Sequence, residues 1–334
     1  MKIKLCTFIL LLIIINLVSS KKVTKSPKFE MSKYIKRFSR EIGVYYHSLA
    51  AHSYCPSANI KNNKCCSNLV DGKKWKVHYT QEPTKKNKLR YSFLVSERYY
   101  KVVITFGYPF NIKKMRDTHW YAQSETLGGR GSLLQIVRKF YKIYNQNYRK
   151  VRSIAQKLYK KHSDYQFILV GHSIGGAVAS VFAYDLTKNS YISKTDHSPL
   201  LITYGSPRVG NDIFSNETMK HLSNVFRVVR NGDPLVSLPA CKTKYFGFGY
   251  CESNLPDSKF NKLYSPKSLK KGGFLPWHLG GMKIFRSAME DFKNCGRRIG
   301  ENNPNPGCLL KKKRNFNLNK FYFGVETQKT CIEK

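Results

Sequence analysis

Apolar residues along this chain gather in three kinds of run, and each predicts an element. The first kind is continuous. Tyr99-Tyr100-Lys101-Val102-Val103-Ile104-Thr105-Phe106 is rich in β-branched and aromatic residues and ends at Gly107, which reads as a buried strand and its exit. Phe167-Ile168-Leu169-Val170, Leu200-Leu201-Ile202-Thr203-Tyr204 and Val225-Phe226-Arg227-Val228-Val229 read as further buried strands. The second kind recurs every three or four positions. Val137, Phe140, Tyr141, Tyr144, Tyr148, Val151, Ile154, Ala155 and Leu158 predict one amphipathic helix of several turns, with Lys and Arg on its other face and an end at His162-Ser163-Asp164. Residues 177–188 read as another helix. Strands alternating with helices predict an α/β fold, with a mostly parallel central sheet covered by helices on both faces.

The third kind occurs once, at the start. Residues 5–18 form an uncharged, mostly apolar run behind Lys2 and Lys4, and Val18-Ser19-Ser20 places small residues at its end. The run is shorter than the roughly 20 residues of a spanning helix. Residues 1–20 therefore read as a signal peptide and the protein as secreted, with a retained anchor as the alternative; no later segment is apolar and long enough to span. Residues 21–40 are basic and polar and read as a weakly ordered leader. With no repeat or low-complexity linker, residues 41–334 read as one domain.

Composition adds two things. With 41% hydrophobic and 24% charged residues in 334, the chain folds rather than staying disordered. The balance of 59 Lys+Arg against 20 Asp+Glu gives +39 and excludes an acidic, solvating chain. The basic residues are spread along the sequence. Compositional drift explains them as readily as a surface attracted to anionic lipid or polyanions does, and nucleic acid is not expected as a partner.

Of the nine cysteines, Cys6 lies in the signal peptide, which leaves Cys55, Cys65, Cys66, Cys241, Cys251, Cys295, Cys308 and Cys331. An even number in an oxidising compartment makes four disulfides plausible, with 105 possible pairings, among which the short loops 241–251 and 295–308 are attractive. No Cys-x-x-Cys or histidine pair has metal-ligand spacing, so no metal is expected. Asn216-Glu217-Thr218 is a glycosylation acceptor, and Lys311-Lys312-Lys313-Arg314 reads as a solvated loop.

The chemistry centres on Gly171-His172-Ser173-Ile174-Gly175, a Gly-x-Ser-x-Gly placed between an apolar strand and a helix. Glycine on both sides permits a sharp corner that projects the Ser173 hydroxyl, with helix N-terminal amides nearby. The alternative is a helix start with a capping serine. A serine nucleophile needs a base, and the base an orienting carboxylate, in the chain order Ser, acid, His. Only His278, in Pro276-Trp277-His278-Leu279-Gly280-Gly281, follows residue 221. Asp233, in Asn231-Gly232-Asp233-Pro234, directly follows the strand 225–229, where an α/β sheet gathers its active site. Asp196, Asp212 and Asp257 lack that placement, and a turn-forming role before proline is the alternative for Asp233.

These residues, together with Thr203-Tyr204-Gly205-Ser206-Pro207-Arg208-Val209-Gly210-Asn211, the tail Tyr322-Phe323-Gly324 before Cys331 and the opening Ala50-Ala51-His52-Ser53-Tyr54-Cys55, resemble the class 3, filamentous-fungal-type triacylglycerol lipases over roughly residues 41–331. The resemblance implies an α/β-hydrolase domain that cleaves acylglycerols or related esters through an acyl-enzyme, with Ser173 as nucleophile, His278 as base and Asp233 as orienting acid. It implies a bond between Cys55 and Cys331 and a small loop closed by Cys241 and Cys251. Two departures stand out. Phe106-Gly107-Tyr108 replaces the family's Arg-Gly-Ser/Thr, leaving the amides of Tyr108 and Ile174 as oxyanion donors without the short hydroxyl. Arg130-Gly131-Ser132-Leu133 stands where the family has His-Gly-Phe. A lid is expected within residues 109–123, where Phe110, Ile112, Met115 and Trp120 mix with Lys113, Lys114 and Arg116, with an ordinary surface loop as the alternative.

The sequence thus leads to a secreted serine ester hydrolase, expected as a monomer and without cofactor, acting on lipid or other esters at membrane or droplet surfaces, with anionic lipid as a possible attractant. A phospholipase or feruloyl-type esterase would use the same residues. A relative of weak catalysis, kept as a basic lipid- or polyanion-binding protein, is the alternative from another class.

Overall fold

A computed structural model describes residues 31–56, 75–109, 124–127, 132–192, 199–222, 224–230, 233–238, 281–285, 293–294, 315–323 and 325–327. The chain divides into a unit of Met1–Ser32, of which only the last two residues are described, and a unit of Lys33–Lys334 that holds every element below.

The elements, in chain order, are helix α1 (Arg40–His52), strands β1 (Lys76–Gln81), β2 (Arg90–Ser96), β3 (Lys101–Gly107), β4 (Ser124–Thr126) and β5 (Gln135–Val137), helices α2 (Arg138–Asn145) and α3 (Tyr148–Lys161), strand β6 (Gln166–His172), helix α4 (Ile174–Lys188), strand β7 (Leu200–Tyr204), helix α5 (Asp212–His221), strands β8 (Asn224–Arg230), β9 (Gly281–Phe285) and β10 (Lys293–Asn294), and the short strands β11 (Phe321–Tyr322) and β12 (Val325–Glu326). Eight strands form one sheet in the order β1-β2-β3-β6-β7-β8-β9-β10. The pairs from β3 to β9 are parallel, and the outer pairs at both edges are antiparallel. The chain is an α/β protein with a mostly parallel sheet, as its pattern predicted.

The continuous apolar runs are explained by cover on both faces. Alternate residues of the central strands, among them Val102, Ile104, Phe106, Phe167, Leu169 and Leu201, join a core with α2, α3 and α4, in which the Phe106 and Phe182 rings stack at 5.1 Å. The residues between them are buried as well. On that second face the Tyr204 hydroxyl donates to the Gly43 carbonyl of α1 at 2.7 Å. Arg152 of α3 holds the buried Asp185 of α4 bidentately, at 2.8 and 2.5 Å.

Two features differ from the pattern. The single long helix over 137–158 is two helices. Asn147 interrupts it, its side-chain amide bonding back to Ile143 C=O at 2.7 Å and its oxygen accepting from Asn87 at 2.7 Å. A residue whose side chain competes for backbone partners ends one helix and lets the next begin. In addition, residues 33–39, expected within the basic leader, are tied to the sheet, with Ile35 N–H and C=O bonding the Gln166 side chain at 3.0 and 3.3 Å.

Candidate active site

Ser173 occupies the corner between β6 and α4, with φ 57° and ψ −128°. Such a conformation costs a non-glycine residue on the order of 1–3 kcal/mol and persists only where the surroundings enforce it. They do so here. The Ser173 N–H donates to the Tyr204 carbonyl at 2.8 Å, pinning the corner to the end of β7. A Cβ on Gly171 would run into the Gly175 carbonyl, and one on Gly175 into the Phe106 carbonyl. The hydroxyl does not cap α4, so the capping alternative does not hold.

The close approach of Gly175 to Phe106 sets the first turn of α4 against the exit of β3. The amides of Ile174 and Tyr108 therefore belong to one corner of the sheet. The Tyr108 ring lies in the core, where burial raises its phenol above the usual range.

Asp233 follows β8 and is 1% exposed. Its Oδ1 accepts from the Leu235 N–H at 2.9 Å, while Oδ2 accepts from Asn319 Nδ2 at 2.7 Å and from the Tyr322 hydroxyl at 2.9 Å. Burial pushes the carboxyl up to about 6, against the pull of those hydrogen bonds and of the Arg227 guanidinium. Three groups converge there because residue 205 is glycine. Gly205 takes φ 57°, and a Cβ on it would lie 2.5 Å from Asn319 Nδ2, 2.7 Å from the Tyr322 hydroxyl and 3.0 Å from Asp233 Oδ2.

The histidines near this corner serve as fixed hydrogen-bonding groups. His172 is fully buried, its Nε2–H donating to the Asn319 carbonyl at 2.7 Å and its Nδ1 facing the Tyr54 hydroxyl at 3.1 Å; burial holds it down to about 4. His47 meets the Thr327 hydroxyl at 3.0 Å, and burial keeps it well below the imidazole range.

Of the residues proposed from sequence, the structure gathers Ser173, Ile174, Tyr108 and Asp233 at the carboxyl edge of the parallel strands. His278, residues 110–123 of the expected lid, Arg130, Gly131 and the cysteines other than Cys55 lie outside the described residues. Cys55 is disulfide-bonded. Asn216 is exposed on α5, while the Thr218 hydroxyl is buried and bonds back to Phe214 C=O at 2.7 Å. Among the described residues, no group of three or more His, Cys, Asp or Glu is placed to hold a metal. Sequence reading missed Asn319, Tyr322 and Gly205 as site residues. The tail containing Tyr322 stood out as a family mark, but nothing local distinguished Asn319 from its neighbours Asn315 and Asn317.

A mostly parallel sheet with a strained serine at a strand-to-helix corner, and a buried carboxylate beyond a following strand, is the arrangement of the α/β-hydrolase fold. Comparison with known proteins narrows this. Residues 93–243 match the family described as Lipase (class 3). A secreted mono- and diacylglycerol lipase 1 of Fusarium solani is 43% identical over 75 residues, 22% of this chain and 21% of that protein. Secreted mono- and diacylglycerol lipase A of Penicillium cyclopium is 35% identical over 85 residues, 25% of this chain and 26% of that protein. The chain thus spans about a quarter or less of these relatives' length. In fold, it is similar to the triacylglyceride lipase of Rhizomucor miehei, at a TM-score of 0.67 and 20% identity, over 88% of this chain and 98% of the other. The family likeness lies in residues 93–243, and the fold is the one that a lipase of known structure shares.

Proposed function

We propose that the protein cleaves acyl esters through Ser173. The observation that carries this is the enforced corner: a serine held at positive φ, uncapped, beside the first amides of α4 and across from a buried carboxylate. In the reaction, Ser173 Oγ bonds to the ester carbonyl carbon, and the carbonyl oxygen takes up the displaced electron pair. The amides of Ile174 and Tyr108 are the donors for that oxygen. Collapse breaks the bond to the alcohol, which leaves with the proton that began on the serine. Water then repeats the sequence on the acyl-serine and returns the proton. Asp233 takes the orienting role, and the proton shuttle belongs to a group after it in the chain, for which chain order alone offers His278.

Acylglycerols are the substrate class supported by the names of the Fusarium and Penicillium relatives. Two features support export with cleavage after residue 20: those relatives are named as secreted, and Cys55 is disulfide-bonded. An intact mass of the mature protein that still includes residues 1–20 would contradict it. The +39 charge supports recruitment to anionic lipid surfaces.

The test of the central reading is release of p-nitrophenol from short- and long-chain p-nitrophenyl esters, with Ser173→Ala alongside. Release above the buffer rate, reduced to that rate in Ser173→Ala, is the expected result. Equal release by both folded proteins would overturn it.

A further inference from the structure

The carboxylate of a serine hydrolase orients its base by accepting a hydrogen bond from it, while the base's other nitrogen takes the serine proton. At Asp233 the described side chains that donate to the carboxylate are Asn319 and Tyr322, and neither is an imidazole. Asn319 is 4% exposed. Its Nδ2 donates to Asp233 Oδ2 at 2.7 Å and to the Gly205 carbonyl at 3.0 Å, and two acceptors fix which end of the amide is nitrogen. Its backbone carbonyl accepts from His172, the residue before Ser173, at 2.7 Å. Gly205 follows Tyr204, whose carbonyl accepts from the Ser173 N–H. Asn319 is therefore bonded at once to the acid, to the loop that pins the nucleophile and to the nucleophile's neighbour. It also follows the acid in the chain, as the base of such a site does.

From this we infer that Asn319 occupies the seat of the general base at Asp233, making the site a serine–amide–carboxylate array that takes acyl esters and turns them over slowly. The inference rests on the ester reading of Ser173 and specifies its regulation by composition. An amide donates to the carboxylate as an imidazole does, but its oxygen gains a proton only in strong acid. The serine proton then passes to water rather than to a side chain, and both acylation and deacylation lose general-base help. The oxyanion amides and the bound geometry remain, which by themselves leave about 10³–10⁴-fold catalysis over water.

The experiment compares initial rates of p-nitrophenyl ester hydrolysis by the oxidised, folded wild-type protein, Asn319→His, and Asn319→His with Ser173→Ala. The expected result is a wild-type turnover about 100-fold or more below the ordinary enzyme range of about 1–10³ s⁻¹. Asn319→His should raise it at least 100-fold, and the added Ser173→Ala should abolish the gain. Wild-type turnover within the ordinary range, lost in Ser173→Ala, would overturn the inference and leave the ester reading standing, whether or not Asn319→His folds. A folded Asn319→His no faster than a slow wild type would also overturn it. If neither protein hydrolyses ester or reacts with a fluorophosphonate at Ser173, the ester reading itself falls.

Discussion

At the scale of single residues, the site is a set of buried polar groups whose partners decide their charge. His172 is the clearest case. The folded chain holds it neutral down to about pH 4, whereas an unfolded chain binds its proton near 6.5. As pH falls through that window the unfolded state takes up protons first, so the stability from His172 is full above about 6.5 and lost between 6.5 and 4. The full swing is about 3 kcal/mol at 1.36 kcal/mol per unit. Asp233 acts in the opposite sense. Its raised carboxyl binds a proton in the folded chain first, so its contribution is full below about 3.8 and lost as pH rises through 6. His47, also held well below its usual range by burial, acts in the same sense as His172, so two buried histidines stand against one carboxyl. Calorimetry from pH 7 to 4 should therefore show Tm falling with pH, and a shallower fall in His172→Gln. Equal slopes in the two proteins would contradict the assignment.

At the scale of elements, the central strands were legible because a sheet covered on both faces writes itself as continuous apolar runs. β3, β6, β7 and β8 fall within a residue or two of those runs. The corner at Ser173 was legible because glycine is required on both sides of it. Asp233 was legible as a candidate because it follows a strand whose direction the alternation already implied. The break between α2 and α3 was not: both helices keep the same apolar period, and only the Asn147–Asn87 contact, between segments 60 residues apart, distinguishes two helices from one. α1, β1 and β2 also escaped notice, since half-buried or polar positions dilute their periods. Asn319 was not legible: Asn315, Asn317 and Asn319 stand close together, and sequence shows residue types and not which side chain the fold carries to a carboxylate. A short helical turn, Phe316–Lys320, and the strand after it bring an amide there.

At the scale of the whole molecule, charge and site make separate demands. A formal +39 spread over a protein whose chemistry sits at one corner of the sheet suits attraction to a surface more than recognition of one ligand. Retention on phosphatidylserine vesicles should exceed retention on neutral phosphatidylcholine vesicles at low salt and decline as ionic strength rises past about 0.15 M, where screening reaches about 8 Å. Equal retention on both at low salt would contradict it. Slow turnover and strong surface attraction are compatible: a protein that sits on lipid and holds acyl esters without rapid release can act by occupancy. All of this depends on Ser173 being a nucleophile aimed at an acyl group. The most direct measurement is peptide mapping of the wild-type protein after prolonged exposure to a fluorophosphonate. One adduct on the peptide carrying Ser173, formed at least 100-fold faster in Asn319→His, is the expected result. A folded, oxidised protein with no adduct on that peptide in either form would contradict it.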